Sequence, residues 1–109
     1  MLSLSVFIHS FLGQGLLNFQ CQNLSMKTLY LLRHAKSRKD NSDLKDFERP
    51  LAERGIRDLP VMAERFKAKN SRVDCIICSP AVRTKTTAKM FAQEIGFPSD
   101  EIGSNPELY

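Results

Sequence analysis

The chain has 109 residues, 42% of them apolar and 26% charged, with a formal net charge of +4 at pH 7. That is room for one small domain of ordinary globular composition, which argues against a disordered chain. The mild positive balance suits a small anionic ligand better than a dedicated nucleic-acid surface.

Residues 1 to 25 hold no Lys, Arg, Asp or Glu, and charge begins at Lys27. The stretch is apolar (Leu2, Leu4, Val6, Phe7, Ile8, Phe11, Leu12) but lacks the basic start of a secretory signal. His9, Ser10, Gln14 and Asn18 interrupt it, so it makes a poor membrane-spanning helix. It reads as an uncharged N-terminal extension outside the fold, with Met26 as the natural beginning. A weak export or membrane signal is the alternative.

Thr28 to Leu32 is a continuous apolar run, which predicts a central parallel strand covered on both faces. It ends in Arg33-His34. The polar residues from Ala35 to Pro50 predict a loop. After Leu51, apolar residues recur at helical spacing: Ile56, Leu59, Met62 or Ala63, and Phe66. Pro60 falls inside this helix, where a kink is expected, or else a second helix start. Asn70-Ser71 closes it. Val73 to Cys78 predicts a second buried strand. A second helix starts near Ala81, with Val82, Ala88, Phe91 and Ile95 on its apolar face, Gly96 as its C-cap and Pro98 beyond. Residues 99 to 109 read as loop.

Three cysteines, Cys21, Cys75 and Cys78, make an odd number without a disulfide framework. This suggests a reducing compartment, and the cytoplasm is the expected location. Cys75 and Cys78 form a C-x-x-C, but residues three apart on a strand point to opposite faces and cannot share a metal. They read as small buried hydrophobes. Asp40, Asp43 and Asp46 lack the glycine and closing glutamate of a calcium loop, so no metal and no cofactor is assigned.

The order strand, loop, helix, strand, helix is the opening of an α/β fold: the N-terminal part of a layered, mostly parallel sheet flanked by helices. Ligands in such sheets bind beyond the carboxyl ends of the strands. Both polar junctions, Arg33-His34 and Ser79 to Arg83, fall at that end. Neutral imidazole is a nucleophile toward phosphorus, and nearby guanidinium groups favour the neutral ring by like-charge repulsion. Arginine matches phosphate with a two-pronged donor fork. Arg83 lies in the first turn of a helix, where free N–H groups and the positive dipole end attract anions. Read alone, His34 is more often structural and Arg83 a solvated surface residue; together they point to phosphoryl chemistry.

Leu29 to Ser37, with Arg33-His34-Ala35 at its centre, resembles the Arg-His-Gly signature of the histidine phosphatase (phosphoglycerate-mutase-like) superfamily, with Ala35 in place of the commoner glycine. Asp46 to Leu51, followed by Arg54-Gly55, is similar to the next segment of the SixA-like phosphohistidine phosphatases. Ser79 to Thr84, with Thr87-Ala88, resembles the second arginine motif of the superfamily. The resemblance spans residues 26 to 109, the N-terminal portion of such a domain.

The resemblance implies that His34 is the phosphoryl acceptor and that Arg33 and Arg83 hold the phosphoryl oxygens. It makes Arg49 a further phosphate ligand; the other reading of Arg49 is a loop residue paired with Asp46 or Glu48. Lys36, Arg38 and Lys39 read as a solvated loop; the alternative reading is an electrostatic funnel for a phosphorylated protein. The implied function is hydrolysis of phosphohistidine through a phosphohistidine intermediate on His34. The partner would be a phosphorylated protein or a small phosphorylated substrate, with no nucleic acid and no membrane. The alternatives are a small-molecule phosphomonoesterase of the same superfamily and an inactive phosphate-binding remnant. The superfamily site also uses a second histidine in a later segment, which His9 does not match. The expectation is therefore a truncated chain.

Overall fold

The computed structural model describes residues 6–11, 27–39, 43–69 and 72–109. Met26, Asp40 and Asn70-Ser71, to which the sequence gives roles, lie outside the described residues. Among the described residues the chain makes strands β1 (Val6–Phe11), β2 (Lys27–Leu32), β3 (Cys75–Cys78) and β4 (Gly103–Ser104) and helices α1 (Glu53–Lys69) and α2 (Val82–Ile95). This is a small α/β arrangement, as expected from the element order.

The sheet order is β2-β1-β3-β4. β1 runs antiparallel to both neighbours, and β3 pairs parallel with β4. β2 and β3 therefore point the same way but are separated by β1, which departs from the expected parallel neighbours. Residues 6–11, expected off the fold, are placed inside the sheet. Val6 faces Leu32 on one side and Cys78 on the other. The last residues of β2 and β3 thus stand level, two strand spacings or roughly 10 Å apart. Arg33-His34 and Ser79 leave the sheet from the same edge. Asn105 joins them there, its N–H donating to the Cys78 carbonyl at 2.9 Å.

The apolar run of β2 suggested a central strand covered on both faces, and this is corrected. Among the described residues β2 is an outer strand, and Leu29 and Leu31 are 55% and 56% exposed. Tyr30 and Leu32, on the alternate face, pack against the core. Strand alternation likewise puts Ile76 and Cys78 on the helix-covered face and Cys75 with Ile77 on the other. Cys75 and Cys78 are free thiols, and burial raises the Cys78 pKa.

Both helices pack on the same face. Phe66 of α1 lies edge-on to Tyr30 of β2 and to Phe91 of α2, at 5.0 and 5.2 Å between ring centres. Phe91 is fully buried, which is worth about 2–3 kcal/mol. α1 is one continuous helix through Pro60, so no second helix starts there. Leu59 and Ala63 form its buried stripe, whereas Ile56 is exposed. Val82, placed on the apolar face of α2 from sequence, is exposed as well. Helical spacing identifies a face but not its edges, and the first turns of both helices lie at the rim of the core. Gly96 caps α2 in the left-handed conformation at φ 75°.

The loop between β2 and α1 is held closed at its base. Ser37 and Leu51 form an antiparallel bridge, Arg38 N donates to Pro50 O at 3.0 Å, and Ala52 N donates to Lys36 O at 2.7 Å. Gly55 in the first turn of α1 lies against this clamp. A Cβ there would meet the Lys36 carbonyl oxygen and come within 2.8 Å of the Lys36 nitrogen. Gly55→Ala is expected to destabilise the fold by about 1–3 kcal/mol through this overlap. Helix propensity alone would stabilise it by about 1 kcal/mol. The sign of the melting shift therefore checks the close approach.

Candidate functional site

His34 is half-buried just past the end of β2. Its Nδ1 lies 2.8 Å from the Ala35 carbonyl oxygen. A carbonyl can only accept, so this contact requires the proton on Nδ1 and leaves the lone pair on Nε2. Burial is the main influence on the ring and lowers its pKa below 6.5. The Ala35 carbonyl works against this, and the charges of Arg83, Arg33 and Arg49 reinforce it. Burial and the three guanidinium groups thus favour the neutral form of the ring.

Arg83 sits in the first turn of α2 with a side chain only 5% exposed. Its Nη1 donates to the main-chain carbonyl of Asp46 at 2.7 Å, and its Nη2 lies 3.1 Å from Asp46 Oδ2. Arg49 Nη2 donates to Asp46 Oδ1 at 2.6 Å. The inner Nε–H groups of Arg49 and Arg83 are buried and have no hydrogen-bond partner among the described residues. Arg33 is exposed beside His34. The pairing of Arg49 with Asp46 foreseen in the sequence is present, and it draws Arg49 into the cluster around Arg83.

Sequence reasoning named Asp46 only as a partner of Arg49, and it did not single out Tyr109. Asp46 opens a short 3-10 turn, Asp46–Glu48, within the first loop. Tyr109 follows the 3-10 turn Pro106–Leu108, and its hydroxyl donates to Asp46 Oδ2 at 2.8 Å. Its ring packs edge-on to Phe47 and lies 5.9 Å from the Arg83 guanidinium carbon. The Tyr109 hydrogen bond and then the two arginines lower the Asp46 pKa. Residues 46 and 109 are too far apart in sequence for a local pattern to reveal this contact.

The first loop and α2 are joined directly. Ala35 N donates to Thr87 Oγ1 at 3.0 Å, and Thr87 Oγ1 donates to the Arg83 carbonyl at 2.7 Å. Lys36, Arg38, Lys39 and Arg54 line an open groove on the α1 side of the loop. Among the described residues no group of three or more His, Cys, Asp or Glu side chains could hold a metal ion. Also among them, no helix is long and apolar enough to cross a membrane.

A half-buried histidine, the buried Arg83 and the partly buried Arg49 at the carboxyl edge of an α/β sheet make an environment suited to a phosphoryl group. Residues 29–108 match the histidine phosphatase superfamily (branch 1), and the chain belongs to that superfamily. It is 36% identical over 84 residues to an uncharacterised chloroplastic protein of Arabidopsis thaliana, covering 76% of this chain and 38% of that one. It is also 39% identical over 56 residues to an uncharacterised protein of Mycobacterium tuberculosis, present in two strains, covering 51% of this chain and 35% of the relative. The chain thus spans little more than a third of the length of these relatives. No solved structure matches it.

Proposed function

We propose that this chain carries the phosphoryl-accepting portion of a SixA-like phosphohistidine phosphatase, with His34 as nucleophile. Membership of the superfamily points to phosphatase or mutase chemistry. The observation that carries the finer reading is the His34 ring: Nδ1 tied to the Ala35 carbonyl, Nε2 left as the lone pair, and three arginines around it. Nε2 attacks phosphorus, a P–N bond forms, and the bond to the leaving group breaks. Arg33, Arg49 and Arg83 neutralise the charge on the equatorial oxygens. Water then attacks the phosphohistidine, and inorganic phosphate leaves with His34 restored.

An imidazole leaving group needs less acid assistance than an alkoxide, which favours a phosphohistidine substrate where no general acid is evident among the described residues. The basic groove of Lys36, Arg38, Lys39 and Arg54 suits a phosphorylated protein whose flanking residues are acidic. The free thiols of Cys75 and Cys78 fit a reducing, cytoplasmic setting.

The test is phosphoryl uptake from a radiolabelled phosphohistidine peptide, in competition with a sugar phosphate. The expected result is an acid-labile, base-stable label on the chain that the sugar phosphate competes poorly. Preferred labelling by the sugar phosphate would replace this reading with a small-molecule phosphomonoesterase. Phosphate binding without label from either donor would leave an inactive remnant.

A further inference from the structure

Thr87 is fully buried in α2 and makes two hydrogen bonds of different kinds. The first, to the Arg83 carbonyl one turn back, is ordinary for a helical threonine. Thr86 makes the same bond to Val82 at 2.8 Å. The second bond has no such local origin. It spans 52 residues in sequence and accepts the main-chain N–H of Ala35. Donation to Arg83 fixes the hydroxyl hydrogen, so the lone pairs are free to accept from Ala35. The same Ala35 peptide unit continues on its carbonyl side to His34 Nδ1.

We propose that Thr87 is a positioning residue, whose hydroxyl holds the Ala35 peptide and thereby fixes the orientation and tautomer of the His34 ring relative to the first turn of α2. The connection runs from the Arg83 carbonyl through Thr87 Oγ1 and the Ala35 backbone to His34 Nδ1. It links the two segments that the sheet brings to one edge. Each member is held by the next, so a single hydroxyl sets where Nε2 points. Thr87 touches no reacting atom. Its catalytic consequence rests on the phosphatase reading, but its effect on the ring does not.

The experiment is nitrogen-15 NMR of the His34 ring in the wild-type protein and in Thr87→Val, Thr87→Ala and Thr87→Ser, with phosphoryl uptake measured on each. Valine is isosteric, and alanine is the variant of choice if valine does not fold. Wild type and Thr87→Ser are expected to keep the proton on Nδ1. Valine and alanine are expected to move the tautomer balance toward Nε2–H and to slow phosphoryl uptake by about 10- to 100-fold. Phosphate affinity, held by the arginines, should change far less. A folded Thr87→Val or Thr87→Ala chain that keeps the wild-type tautomer overturns the proposal. A wild-type chain that takes up no phosphoryl group counts against the phosphatase reading, and the tautomer comparison still decides the role of Thr87.

Discussion

Replacing His34 with alanine is expected to lower phosphoryl uptake by roughly 10⁴-fold or more while leaving the fold intact. Under the proposed mechanism this change removes the nucleophile and with it the covalent step, and losses of this order or larger follow in enzymes where the nucleophile acts as one unit with its neighbours. The stability cost is small by comparison. His34 is half-buried, and among the described residues its ring makes one hydrogen bond, to the adjacent carbonyl, worth about 1 kcal/mol. A melt near the wild-type temperature combined with absent label is the expected pair of results. Retained label on His34→Ala would place the acceptor elsewhere.

The same residue sets the pH dependence. Burial and the charges of Arg83, Arg33 and Arg49 lower the His34 pKa, against the opposing carbonyl contact. In the proposed mechanism only the neutral ring attacks. A lowered pKa means that the neutral form persists to more acidic pH than in a free histidine. The acidic limb of the pH profile for uptake under kcat/KM conditions should therefore fall below pH 6.5. A limb above that value would contradict the burial and charge that the structure shows around the ring.

Arg83→Met is expected to weaken inorganic phosphate binding by about 10- to 100-fold, because a charge-assisted hydrogen bond is worth about 1.5–3 kcal/mol. Stability should change little. The guanidinium is almost fully buried, and a well-packed apolar side chain of similar length recovers the cost of desolvating it. The Asp46 carboxylate left behind is exposed and keeps Arg49 and Tyr109. Arg83→Lys should fall between the two, since it keeps the charge but loses the fork. Calorimetric titration with phosphate checks the series. Wild-type affinity in Arg83→Met would remove Arg83 from the site.

Much of the scaffold was legible in the residues. Leu59, Ala63 and Phe66 mark the inner stripe of α1 by their spacing, and Ala88 and Phe91 mark that of α2, because a helix repeats every 3.6 residues. Gly96 announces the end of α2 because a left-handed backbone favours glycine. Arg33-His34 and Ser79 to Arg83 fall directly after strands, and α/β geometry then directs them to one edge. These are local rules, and a local rule can be read from a local stretch.

Tertiary structure decided the rest. A run such as Thr28 to Leu32 reports apolar residues but not what covers them, so the exposure of Leu29 and Leu31 could not be foreseen. Nothing in residues 6–11 marks them for a place between β2 and β3, since pairing depends on edges supplied by distant segments. The meeting of Asp46, Arg49, Arg83 and Tyr109 joins parts of the chain up to 63 residues apart. Thr87 looked like part of a motif, but its bond to Ala35 exists only because the sheet sets two strand ends level. The sequence by itself marked the residues proposed to carry the chemistry. The fold alone determined which of them touch, because hydrogen bonds across the chain depend on distances that spacing along it does not encode.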